Sequence, residues 1–227
     1  MIICLLFTAL SLPVSAQKEN DSRTKVIIET TLGRIKVVLY DETPLHKENF
    51  KSLVNQGFYD GLLFHRVINK FMIQSGDPAS RTAIPGESLG DTPEPYTIPA
   101  EIRYPGIMHK RGALCMARES DSVNPQRASS AYQFYIVYVT RFDDDMLDRV
   151  QARLKVSGND NVVLVPDVRD VYRRIGGTPH LDGQYTVFGE VVEGMDVVRD
   201  IQWVDTDNND RPLKDVRIIK AYEVKEE

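Results

Sequence analysis

The sequence is short of the residues from which many sites are built. Its 227 residues hold two cysteines (Cys4 and Cys115), four histidines and one tryptophan. Two widely separated cysteines cannot form a thiolate cluster, and His46, His65, His109 and His180 show no metal-ligand spacing. Basic residues are outnumbered, 28 Lys and Arg against 33 Asp and Glu, for a net charge of −5. Composition therefore does not supply the basic face that nucleic acid requires. Past the first residues no apolar run is long enough to span a bilayer. No metal, organic cofactor, nucleic acid or membrane insertion is expected, and a monomer is expected.

The exception to that shortage of apolar runs is the N-terminus. Ile2 to Leu12 is apolar, and Pro13 and Val14-Ser15-Ala16 follow, with small residues where a signal peptidase reads. Residues 1–16 are expected to be an export signal and 17–24 a polar linker, which places the mature chain in the periplasm or outside the cell. The competing reading is a buried N-terminal strand or helix. Cleavage after Ala16 would leave Cys115 alone, so the mature domain must hold itself together by its core.

From residue 25 onward the pattern is mainly β. Val26–Glu29 and Arg34–Tyr40 alternate as paired strands across a turn at Thr30-Thr31-Leu32-Gly33. Thr43-Pro44 predicts a helix start with Thr43 as N-cap; Phe50, Leu53 and Val54 give the helix one apolar stripe, and Gly57 ends it. Five prolines between Pro78 and Pro99 predict a long loop. Strands are expected over 112–118, 133–139, 185–191 and 216–222, with a short helix around 196–201. Residues 141–178 read as an inserted helical hairpin. Met146, Leu147, Val150 and Leu154 recur at helical spacing behind Asp143-Asp144-Asp145, and Pro166 opens a second helix that Gly176-Gly177 closes. Residues 224–227 are a tail. About eight strands with a few helices at the ends predict a closed antiparallel barrel.

Two apparent motifs dissolve in context. Gly86-Glu87-Ser88-Leu89-Gly90 has the spacing of a nucleophile elbow, which needs a strand before it and a helix after it; Pro85, Pro93, Pro95 and Pro99 deny both. Asp205 to Asp210 resembles the start of a calcium loop, but Asp210 stands where glycine is required and Val216 where glutamate is required, so it reads as a polar turn. Cys115 lies in an apolar strand and reads as core.

The stretch Phe64 to Asp77 carries more chemistry. It reads as two short strands joined at Asn69-Lys70, with Phe64, Arg66 and Ile68 on one face and Met72 and Gln74 on another. Arg66 in so apolar a segment is either a surface arginine with its stem on Phe64 or a residue with a task. Phe71, Met72, Tyr135 and Leu181, with the amides Gln74 and Gln133, would make an apolar pocket with a few polar groups.

With these residues in place, the sequence resembles a cyclophilin-type peptidyl-prolyl isomerase. The resemblance rests on four stretches in order: Phe64-His65-Arg66-Val67-Ile68 with Phe71 to Asp77, Gly112 to Arg118, Gln133 to Ile136, and Leu181 to Gly189. It covers roughly 25–223, apart from 141–178 and a rewritten 78–100 loop. It implies a closed eight-stranded antiparallel β-barrel capped by helices, and proline-containing polypeptides as partners. It implies that Arg66, Gln74 and Phe71 are catalytic, with Met72, Tyr135 and Leu181 completing the proline pocket. It also implies that Ala117 and Arg118 hold the substrate backbone, and that His65, Gln133, His180 and Tyr185 contribute to binding. The chain departs from the usual family residues at Arg118, Tyr135, His180 and Tyr185. The alternative of another class is a barrel that binds proline segments without turning them over, as a chaperone or scaffold.

Overall fold

A computed structural model describes residues 23–224; the expected signal and most of the expected linker lie outside the described residues. Ten strands and four helices are assigned among them. Strands β1 (Lys25–Thr30) and β2 (Gly33–Leu39) form the first hairpin, in register from Lys25 opposite Val38 to Thr30 opposite Gly33. Helix α1 (Pro44–Asn55) follows and buries Phe50, Leu53 and Val54. Each such side chain contributes about 1.5–3 kcal/mol when fully taken from water. Thr43 sits at the N-cap, but its hydroxyl turns back to the Tyr40 carbonyl at 3.4 Å. The cap comes instead from Glu101, whose carboxylate accepts from the backbone N–H of Leu45 (3.2 Å) and His46 (3.0 Å).

The next elements are β3 (Arg66–Ile68), β4 (Met72–Ser75), β5 (Thr97–Ile98), β6 (Ala113–Met116), β7 (Ser129–Ser130) and β8 (Phe134–Val137). Helices α2 (Asp144–Val156) and α3 (Pro166–Arg174) form the insertion; β9 (Val187–Glu193), α4 (Met195–Gln202) and β10 (Ile218–Glu223) complete the chain. Eight strands make one antiparallel sheet in the order β10-β1-β2-β9-β6-β8-β4-β3, and β5 pairs with β7 apart from it.

The expected closed barrel is corrected to a curled, open sheet. Its end strands β3 and β10 share no ladder. Only an isolated bridge at Leu63–Arg217 joins the segments beside them, flanked by Phe64 N–H to Val216 O (2.9 Å) and Ile218 N–H to Leu62 O (2.8 Å). The short β3 begins after these residues, so ladder closure never develops.

Alternation then sorts side chains into two cores. Leu114, Met116, Phe134, Ile136 and Ile73 enter the main core under α1 and α4, whereas Ala113, Cys115, Tyr135, Val137 and Met72 point to the opposite face. That second cluster is the floor of the site. The expected hairpin faces also change. Arg66 lies opposite Gln74 and Ile68 opposite Met72, so these four share a face, while Phe64, ahead of the strand, is in the main core with Val67. Arg66 is therefore not a buried charge; its side chain stands exposed at the sheet edge.

In the insertion, Leu147, Leu154, Val162, Leu164, Val168 and Tyr172 form a core of their own. Asp143 caps α2 by accepting from Met146 N–H at 2.7 Å. Met146, expected on the apolar face of the first helix, is exposed. The hairpin packs α2 against the turn Pro179–Leu181, beside the site.

Candidate active site

On the outer face of the sheet, Arg66, Phe71, Met72, Gln74, Ala117, Arg118, Tyr135, Leu181 and Tyr185 surround a groove of about 280 Å³. The β-ladders explain why distant residues meet there. Tyr135 lies opposite Gln74 on β4 and opposite Cys115 on β6, and Met72 lies opposite Val137. Met72 and Tyr135 are almost fully buried and floor the groove, with Phe71, Leu181 and Tyr185 around them. Arg66 and Gln74 form the polar rim.

Arg66 is steered from two sides. Its Nε lies 3.5 Å from Asp210 Oδ2, and a terminal guanidinium nitrogen donates to Gln74 Oε1 at 3.5 Å. Gln74 Nε2 donates to Gln133 Oε1 (3.1 Å), and Gln133 Nε2 donates to the Gly90 carbonyl (2.9 Å). This line of amides aims the Gln74 oxygen at the arginine and leaves guanidinium donors free to face the groove.

A family model described as cyclophilin type peptidyl-prolyl cis-trans isomerase/CLD matches residues 25–223. The chain belongs to that family. A Staphylococcus aureus (strain USA300) protein, provisionally named a peptidyl-prolyl cis-trans isomerase, is 34% identical over 94% of this chain and 98% of that protein. A Staphylococcus saprophyticus protein of the same provisional name is 34% identical over 88% of this chain and 91% of that protein. Among solved structures, a Cryptosporidium parvum cyclophilin type peptidyl-prolyl cis-trans isomerase has a TM-score of 0.63 at 22% identity, covering 90% of this chain and 99% of that one. A second structure of that protein, in the presence of the dipeptide Ala-Pro, has a TM-score of 0.61 at 22% identity and covers 89% and 99%. These two show that the fold is shared.

Three residues expected in this cyclophilin's site do not line the groove. His65 is buried behind the hairpin, with neither ring nitrogen hydrogen-bonded. Burial pulls its pKa down to about 4, against the opposing pull of the Asp77 carboxylate. Gln133 holds Gln74 from behind and faces a larger neighbouring hollow that runs along 90–94 and 117–128. His180 stacks on Phe71, ring centroids 5.8 Å apart, and opens on a third hollow; burial lowers its pKa.

Two others line the groove with their polar groups already partnered within the protein. Ala117 N–H donates to Gln133 O (2.8 Å) and its carbonyl accepts from Ser130 N–H (2.8 Å), so its backbone is already paired and the groove receives its methyl. The Arg118 side chain is locked in place. It donates to Gln184 O and Glu119 O at 2.7 Å, meets Asp121 at 2.6 Å and lies 4.5 Å from the Tyr185 ring centre. It holds the 118–127 loop against Tyr185.

Two supports were missed in the sequence. Asp210, assigned to a polar turn, pairs with Arg66 and also accepts from Val67 N–H through its carbonyl at 2.8 Å. Beneath the groove, Tyr135 Oη lies 3.2 Å from His109 Nε2, and His109 Nδ1 lies 2.9 Å from Asp182 Oδ1. Tyr172 Oη, from α3, donates to Asp182 Oδ2 at 2.6 Å. The insertion thus reaches the floor of the groove through a buried polar line. Burial pushes the pKa of both tyrosines well above the usual value, which keeps their hydroxyls as donors.

Proposed function

We propose that this cyclophilin accelerates rotation about Xaa-Pro peptide bonds, with Arg66 stabilising the twisted imide and Phe71, Met72, Tyr135 and Leu181 receiving the proline ring. The observation that carries the reading is the convergence of Arg66 and Gln74 on one edge of an apolar groove in a chain matched over nearly all of its described length by the family.

Prolyl rotation breaks no covalent bond. The barrier of about 18–20 kcal/mol arises from amide resonance lost as the C–N bond twists. At mid-rotation the imide nitrogen is pyramidal and holds a lone pair that the planar amide lacks. A guanidinium aimed at that nitrogen donates a hydrogen bond that exists only in the transition state. Arginine suits the role because it stays charged at any working pH and presents a rigid fork of donors. Asp210 and Gln74 restrict where that fork points, and in this reading Gln74 also meets the carbonyl before the proline. The apolar floor fixes the ring while the carbonyl swings. Lowering the barrier by roughly 7 kcal/mol corresponds to about five powers of ten in rate.

The reading is tested by cis-to-trans conversion of a short Xaa-Pro peptide with wild type, Arg66→Ala and Arg66→Lys. Loss in Arg66→Ala with partial retention in Arg66→Lys is expected; equal rates in all three would remove Arg66 from the chemistry. Export belongs to the same proposal, the supporting observation being the apolar run ahead of Ala16. Mass measurement on the secreted or periplasmic fraction should find a chain beginning at Gln17.

A further inference from the structure

Next to the proline groove, and sharing Leu181 and Tyr185 with it as a common wall, lies a hollow of about 200 Å³. Its far side is built by the insertion: Arg153 and Leu154 from the last turn of α2, and Ser157 at that helix's C-cap. His180 forms its floor. A peptide seated in one hollow is in van der Waals reach of the other, because an extended chain advances about 3.3 Å per residue.

The positive charge that borders this hollow has no carboxylate partner among the described residues. The arginines of α3 and Arg127 are matched to carboxylates, Arg169 to Asp144 and Asp148, Arg173 and Arg174 to Asp170, and Arg127 to Asp121, whereas Arg149 and Arg153 on α2 form no ion pair among the described residues. Among the described residues the Arg153 side chain makes no ion pair and no hydrogen bond, and its charge is felt at His180. That neighbour has its pKa lowered by burial, so it is neutral near pH 7 and supplies no counter-charge. A cation in the last turn of a helix answers the helix dipole. That accounts for a basic residue at this point of α2 but not for the hollow it overlooks.

We propose that this hollow is a specificity subsite for an acidic side chain, Asp or Glu, on the same polypeptide whose proline occupies the adjoining groove, with Arg153 as its counter-charge. The inference rests on the prolyl-isomerase reading of that groove and narrows its substrate class. The insertion then has a task that the sheet alone cannot perform. It adds a selective wall to a groove that otherwise reads only proline.

The test uses proline peptides carrying Glu, or its neutral isostere Gln, at each position near the proline in turn, with exchange rates and binding shifts recorded on the same NMR samples. At one position the Glu peptide should be favoured in kcat/KM about two- to five-fold at low salt, the range of a partly exposed ion pair, and the preference should fade at high salt. In Arg153→Ala the Glu/Gln ratio should fall to about one. In Arg153→Glu a Lys peptide should become the preferred one, a gain that a misfolded variant could not show. A Glu/Gln ratio of one at every position, or a preference that survives Arg153→Ala, would overturn the subsite. If no peptide exchanges faster with enzyme, the isomerase reading fails instead, and the Glu/Gln ratio of dissociation constants from the shifts decides the subsite by the same criteria.

Discussion

Acid should loosen this protein through one residue just ahead of the β3–β4 hairpin. His65 is buried, its ring nitrogens are unpaired, and its pKa lies near 4 where the ordinary value is 6.5. The unfolded chain therefore takes up a proton at this imidazole as pH falls through 6.5, while the folded chain does not until about pH 4. Within that window the unfolded state binds more protons, so stability falls as pH falls. Above 6.5 the contribution is flat, and below about 4 the loss is complete. The gap between the two values corresponds to about 3 kcal/mol, a large part of the 5–15 kcal/mol typical of a domain. His46 and His180 are also held below their ordinary values by burial, so they add slope of the same sign. The contribution of His65 must therefore be taken as a difference. Urea unfolding of wild type and His65→Leu, from pH 7.5 to 4.5, should show the wild type losing more stability on acidification, by about 3 kcal/mol over the full window. Parallel pH profiles in the two proteins would refute the assignment.

Three further outcomes follow from the packing. Tyr172→Phe removes the hydroxyl that donates to Asp182 Oδ2 and leaves that carboxylate oxygen buried, so urea unfolding should show a loss of about 1–3 kcal/mol; an unchanged midpoint would mean that Asp182 does not need the insertion. Gly76→Ala should cost roughly 1 kcal/mol or more, because Gly76 has φ +112° and a Cβ there would meet the Tyr132 carbonyl and lie 2.7 Å from Gln133 Cα; circular dichroism melts would show it. Gln74→Leu cuts the line between Arg66 and Gln133 and should lower kcat/KM by up to roughly a hundredfold through misplacement of the guanidinium, with urea stability measured alongside to separate aim from fold.

Local pattern carried much of this fold. The alternation of Val26–Glu29 with Arg34–Tyr40 becomes the β1–β2 hairpin, and Pro44 with Phe50, Leu53 and Val54 becomes α1. Both are decided by neighbours in sequence. What failed were features decided by partners far along the chain. Thr43 looks like a cap, yet the helix end is satisfied by Glu101, more than fifty residues away. A strand count of eight suggested closure, but closure depends on whether β3 and β10 meet in register, and the chain turns before they do. Within the site, the groove residues were legible because the resemblance carried them residue by residue. Alternation alone set Arg66 and Gln74 on different faces; the cross-strand register joins them. Asp210 was invisible because its partner is an arginine across two loops, and nothing in a polar turn announces that. The line Tyr135–His109–Asp182–Tyr172 joins four segments and has no sequence periodicity at all. His65 and Arg118 both sit in signature stretches, but one is buried away from the groove and the other spends its donors on Gln184, Glu119 and Asp121.

The central claim is that Arg66 acts on the rotating imide and not merely on the bound peptide. Two-dimensional NMR exchange on an Xaa-Pro peptide, with catalytic amounts of wild type and of Arg66→Ala, separates the two because it reads turnover and binding together. Loss of one directed donor costs about 10²–10³ in rate in comparable sites. The account predicts strong cis–trans exchange peaks with wild type, and their loss by about that factor in Arg66→Ala while peptide binding persists. Exchange that is equally fast in both proteins, or no faster with wild type than in buffer, would contradict it.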